Sequence, residues 1–216
     1  MTQDRDPGFA YHEKMAQVLA LLVLEVADRA DMPFNMTSYG ARALGWYDEL
    51  AQFVAEEQGK KRDGHGGKGL DLKPLKEAVE FMMKNMIEFD AKPVEWDGGA
   101  AGAGGDGFVD VETEVKAVHR ISHNARMANF EAHLLEDEGV WGRGWWKHVL
   151  MAPKVSTRNL SSLYTANWCL QRDNGHEPEY FPSIRDAVED GEWVIAQEFV
   201  GKVADRVRRA SDKILN

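Results

Sequence analysis

His119 and His123 stand four residues apart in a stretch of helical period, the spacing that aims two imidazoles at one metal. With Val118 at the centre of the local apolar stripe and ~100° per residue, His119 lies ~100° away and His123 ~140°. They share that outer face with Glu112 and Lys116. Carboxylate-bridged metal sites in helical bundles project inward, so the pair reads as solvated. A metal-binding helical-bundle enzyme built on His119 and His123 is the alternative. Gly102-Ala103-Gly104-Gly105-Asp106-Gly107 formally matches G-x-G-x-x-G, but that motif grips a pyrophosphate only between a strand and a helix, and no strand pattern precedes it. The single cysteine, Cys169, has no base near it in sequence and cannot form an internal disulfide or a cysteine-based zinc site. No G-x-S-x-G elbow or H-E-x-x-H pair occurs, and pairs such as Glu136 with Glu138 or Glu56 with Glu57 read as helix-end charges. No catalytic constellation is present. Asn35-Met36-Thr37 and Asn159-Leu160-Ser161 match the N-glycosylation triplet.

The elements that carry these residues are helical. Apolar residues step by three and four through Tyr39, Ala43, Trp46, Leu50 and Phe53, and again through Leu72, Leu75, Val79, Met82, Met86 and Phe89. A third stripe runs Val111, Val115, Val118, Ile121, Ala125, Ala128, Ala132, Leu135, and a fourth runs Trp193, Ala196, Val200, Val203, Val207, Ala210, Ile214. Such spacing holds each set on one helical face. Asp71 can cap the second of these helices, Pro74 falls in its first turn, and Arg206, Arg208, Arg209 and Lys213 suit the C-terminal end of the last. The expected fold is therefore all-α: a four-helix bundle of the up-and-down type, with an extra N-terminal helix and long irregular loops. That extra helix, Phe9 to Arg29, is apolar in every direction (Met15, Val18, Leu19, Leu21, Leu22, Val23, Leu24, Val26). A helix of that kind is normally covered on more than one side. Residues 59–69 and 97–107 are glycine-rich and are expected as mobile loops. The aromatic, irregular region from Trp141 to Phe181 is expected to fold across one end of the bundle. Its Trp141, Trp145 and Trp146 either anchor a partner or seal that end.

Composition narrows the function classes. Of 216 residues, 26 are Lys or Arg and 36 are Asp or Glu, giving a net charge of −10. Nucleic-acid affinity rests on clustered cations, so nucleic acid is not an expected partner. With 44% hydrophobic residues the chain can bury a core. The run Leu19 to Leu24 is far short of the about 20 apolar residues a membrane helix needs, and the acidic start Met-Thr-Gln-Asp-Arg-Asp is no signal-peptide n-region. No membrane anchor or direct membrane contact is expected of these residues.

Taken in order, several segments resemble the C-terminal part of the transferrin receptor and glutamate carboxypeptidase family. Tyr11-His12, Ala16-Gln17-Val18, Leu24-Glu25-Val26-Ala27-Asp28, Met32-Pro33-Phe34 and Tyr39 are similar to the last helix of the family's protease-like domain entering its helical domain. Trp145-Trp146-Lys147-His148-Val149 with Ala152-Pro153, then Phe181-Pro182-Ser183-Ile184, Asp186-Ala187 and Trp193, resemble the remainder. The resemblance implies residues 1–32 as the end of a missing protease-like domain and residues 33–216 as a helical dimerisation domain. It implies homodimerisation, a peptidase domain in the parent chain as second partner, and zinc held by that domain rather than by this chain. A membrane-anchored parent would carry the domain on its extracellular or lumenal side. Glutamate-preferring members place a Lys-Tyr pair before Phe-Pro to grip the substrate's side-chain carboxylate; Gly175 and His176 stand there instead. Gly offers no cation and a neutral His is a weak substitute. The segment with Asn174, Gly175 and His176 is still the part expected to face the parent's pocket. A monomeric protein-binding module using the tryptophan-rich end is a further alternative.

Overall fold

The computed structural model describes residues 6–60, 69–92, 114–141, 143–155 and 173–216. Its long elements are helices: α1 (Ala10–Asp28), α2 (Met36–Lys60), α3 (Lys73–Asp90), α4 (Glu114–Phe130) and α6 (Trp193–Leu215), with a short α5 (Pro182–Glu189). Strands β1 (Met151–Val155) and β2 (Asp173–Tyr180) form one antiparallel pair. The protein is mostly helical, as expected: each of the four periodic segments, and the all-round apolar segment before them, forms a helix. Of the glycine-rich stretches, Gly59 and Lys60 still belong to α2; residues 61–68 and 97–107 lie outside the described residues, as do Val111, Asn159 and Cys169.

The chain divides into two units. The larger holds residues 35–92 and 128–216. In it α3 packs on both α2 and α6, and α5 packs on α6. Three of the four expected stripes supply this core: Ala43 and Leu50 from α2, joined by Val54 beside that stripe; Leu75, Val79, Met82, Met86 and Phe89 from α3; Ala196, Val200, Val207, Ala210 and Ile214 from α6, all buried. Gly40 lets α2 approach α3 closely. A Cβ there would stand 2.8 Å from Met83 Sδ, 3.0 Å from Met86 Sδ and 3.2 Å from the Met83 Cα. Buried polar groups are matched, since each would otherwise cost its desolvation: Asn85 Nδ2 donates to the Ser211 carbonyl at 2.9 Å, and Ser211 Oγ donates to the Val207 carbonyl at 2.6 Å.

Helix starts are capped from both near and far. Asp71 Oδ1 accepts the Lys73 N–H at 2.9 Å, as its position predicts. The free N–H groups at the start of α2 are taken by Asn35 Oδ1 (from Ser38, 2.6 Å) and by the Asp90 carboxylate at the end of α3 (from Thr37, 2.7 Å, and Met36, 3.3 Å). The exposed Asn35 of the first glycosylation triplet is thus a helix cap.

The smaller unit groups residues 1–34 with 93–127. Asp6 accepts the N–H groups of Tyr11 (2.8 Å) and His12 at the start of α1, and pairs with the His12 ring. Asn124 of α4 ties the segment after α1, donating to the Ala30 carbonyl at 2.9 Å and accepting from the Met32 N–H at 3.2 Å.

Candidate functional site

Two features in the described residues differ from an ordinary packed domain: the platform that carries β2, and apolar surface left open on two helices. The platform starts at a tight turn. Gly139 sits at φ 82°, where a Cβ would meet the Gly144 carbonyl oxygen at 2.4 Å, so only glycine fits. The turn bonds Val140 N–H to the Trp146 carbonyl at 2.8 Å and projects Arg143 inward. Arg143 is 2% exposed and meets two buried carboxylates. Its Nε and Nη2 donate to Asp186 Oδ2 and Oδ1 at 2.7 and 2.6 Å, its Nη2 also donates to Glu179, and its Nη1 donates to the Pro153 carbonyl at 2.5 Å. One guanidinium therefore joins the turn, β1, β2 and α5. Arg185 adds a second cation, 3.4 Å from Glu179 Oε1, and lies over the Phe53 ring. Burial, followed by the neighbouring carboxylates, pushes the Asp186 carboxyl up to about 6 against the pull of Arg143.

β2 is the strand that carries Asn174, Gly175 and His176. Its ladder pairs Met151 with Tyr180, Ala152 with Glu179 and Pro153 with Pro178, then skips to Val155 with Asp173. The stretch 174–177 therefore stands opposite Lys154 alone, with more residues than the ladder can absorb, and bulges. Downstream, Tyr180 stacks on Trp46 of α2, with ring centroids 4.8 Å apart and planes within 12°. Phe181, wholly buried, takes the left-handed conformation (φ 53°) just before Pro182 opens α5. The far end of β2 is thus pinned.

His148 closes the platform on the other side. Its Nδ1 accepts the N–H groups of Leu150 and Met151 at 3.3 Å, which leaves Nε2 as the donor to Glu131 at 2.5 Å. Burial would raise the Glu131 carboxyl, but His148 and Tyr39 outweigh it and hold it below the usual range.

The three candidate tryptophans sit differently. Trp146 donates its indole N–H to the Met151 carbonyl at 2.6 Å and so braces the turn. Trp145 is 52% exposed and meets Trp146 edge-on. Trp141 lines a hollow of about 370 Å³ and leans on Phe199.

The open apolar surface belongs to α1 and α4. On α4 the expected inward stripe is exposed: Val115 65%, Val118 62% and Ile121 60%. His119 is also exposed, and His123 is partly covered. On α1, Met15, Leu19, Leu22 and Val26 are exposed, and so are Val18, Leu21, Val23 and Leu24 on its other sides. Among the described residues no group of three His, Cys, Asp or Glu side chains could hold a metal ion, and no helix is long and apolar enough to cross a membrane.

Open apolar stripes on a mostly helical domain are surface suited to protein–protein association. The sequence profile of the transferrin receptor-like dimerisation domain matches residues 70–215, and the chain belongs to that family. It is 26% identical over 201 residues to an inactive zinc metalloprotease of Schizosaccharomyces pombe, covering 93% of this chain and 21% of that protein. It is 26% identical over 217 residues to a probable glutamate carboxypeptidase of Arabidopsis thaliana (98% and 25%), and 23% identical over 220 residues to one of Zea mays (98% and 25%). The chain spans about a quarter or less of these relatives.

Proposed function

We propose that this chain is the homodimerisation and scaffolding module of a zinc-dependent, glutamate carboxypeptidase-like protein, and that it does not catalyse by itself. The exposed stripe of α4 carries the proposal. Three large aliphatic side chains left in water on one helical face, inside the family-matched segment, are what a second copy would cover. The same reading accounts for α1. It lies before the dimerisation match yet within the plant alignment over 98% of the chain, and its all-round apolarity suits the last helix of a peptidase-like domain in the same parent.

On this reading the bond-breaking residues and the zinc belong to that peptidase domain, and β2 presents the stretch around Asn174, Gly175 and His176 to its pocket. Without a lysine there, the parent would not hold a glutamate side chain by the family's usual cation. The name of the yeast relative, an inactive metalloprotease, fits a module whose joining role outlives catalysis. The metal-binding reading on His119 and His123 is not favoured, because the family match points to association.

Sedimentation velocity at micromolar concentration tests the proposal. The expected species has twice the 24.3 kDa chain mass, and changing both Val118 and Ile121 to Glu returns it to one chain mass with helicity unchanged. A single chain mass for the unchanged protein overturns the proposal and favours the monomeric binding module.

A further inference from the structure

A hollow of about 500 Å³ lies along the C-terminal half of α6, within the about 300–1,000 Å³ range of small-molecule sites. Four of its ten lining residues are cationic: Arg206, Arg209 and Lys213 from α6, and Lys147 from the segment before β1. Two carboxylates, Asp137 and Asp212, share it. Arg206 is committed, its Nη2 and Nε donating to Glu136 Oε2 at 3.0 and 3.3 Å. Among the described residues, Lys147, Arg209 and Lys213 make no ion pair. Arg209 Nε donates only to the Asp205 carbonyl, at 3.3 Å.

A helix C-terminus collects cations in its last turn through its macrodipole, and that accounts for Lys213 on α6. It does not account for Lys147, nor for His133, which enters the same hollow from the 3₁₀ turn at Glu131–Leu134. Burial first, and the nearby Lys213 second, hold the His133 imidazole below its ordinary value. In a chain of net charge −10, uncommitted positive charge gathered from two separate segments into one concavity selects anions.

We propose that this hollow binds a small organic polyphosphate, held by Lys147, Arg209 and Lys213. The two carboxylates set the requirement for multiple charge: a singly charged anion gains little against Asp137 and Asp212, whereas several phosphate groups can each take a charge-assisted bond. Free polyphosphorylated polyols and phosphoinositide headgroups share this chemistry. The site stands independently of the dimerisation reading.

The test is calorimetric titration of the 216-residue chain with inositol hexakisphosphate at physiological salt, beside inorganic phosphate. Saturable binding with one ligand per chain is expected, inorganic phosphate binding at least about tenfold more weakly. Because Lys147, Arg209 and Lys213 are exposed, the combined change of all three to Gln leaves the fold intact by circular dichroism. It weakens binding by about tenfold or more. Saturation also moves the His133 ring-proton titration to higher pH, because an adjacent anion favours the imidazolium. Flotation with vesicles of phosphatidylcholine, with and without phosphatidylinositol bisphosphate, separates the sources: capture by the second vesicle alone assigns a lipid headgroup, and binding of soluble ligand alone assigns a free metabolite. No saturable heat at millimolar inositol hexakisphosphate together with no capture by either vesicle, or binding unchanged in the triple variant, overturns the site.

Discussion

Replacing Arg143 with Met keeps most of the side chain's volume and removes its charge, stranding Glu179 and Asp186, which are 3% and 5% exposed. Asp186 loses both hydrogen bonds of its bidentate pair with Arg143, at 2.7 and 2.6 Å, and Glu179 keeps only Arg185 at 3.4 Å. Breaking a buried ion pair by removing one partner costs about 3–5 kcal/mol, because the remaining charge stays desolvated. With a urea slope of about 2 kcal/mol/M, that lowers the unfolding midpoint by roughly 1.5–2.5 M. The loss depends on pH with a definite sign. Burial already raises the Asp186 carboxyl from 3.8 to about 6, so its ionisation costs folding stability that is recovered as pH falls through 6. Without the guanidinium the carboxyl titrates higher still. The gap between variant and parent is therefore widest near pH 8 and narrows towards pH 6, where the parent's own Asp186 begins to protonate. Adding Glu179→Gln and Asp186→Asn to Arg143→Met removes the stranded charges and recovers most of the loss. A deficit below about 1 kcal/mol, or one constant from pH 8 to 6, would refute buried-charge compensation as the basis of the platform.

Gly40→Val drives two methyl groups into Met83 and Met86 and destabilises the larger unit by about 2 kcal/mol in urea unfolding; Gly45→Ala, on the same helix with nothing within 4 Å, stabilises it by about 0.5–1 kcal/mol. Asp90→Ala removes the acceptors of Met36 and Thr37 and costs about 1 kcal/mol, read as a lower thermal midpoint.

α2, α3 and α6 were legible because a 3.6-residue period leaves its mark on every third or fourth side chain, and burial by neighbouring helices preserves it. β2 left no such mark. Asp-Asn-Gly-His-Glu-Pro-Glu-Tyr has neither alternation nor β-branched residues, and the strand is held instead by Arg143, 36 residues away, and by the Trp46–Tyr180 stack. β1 contains Pro153, which argues against a strand except at an edge. The eight residues of α5 are too few for a period to stand out, although Asp186, its buried acid, falls among the residues that carry the family resemblance. Arg143 itself lies between Gly142 and Gly144 with nothing local to mark it as buried. Val115, Val118 and Ile121 were recognisable as a stripe, but whether a stripe is covered by its own chain is a tertiary fact that periodicity does not contain.

The surplus of residues opposite Lys154 has a corollary. Because Glu179 and Phe181 fasten the strand just past the bulge, substitutions or length changes between Asn174 and Glu177 end there and leave α5 and α6 in register. A change confined to that short stretch is therefore absorbed locally, and the packed helices beyond it keep their places.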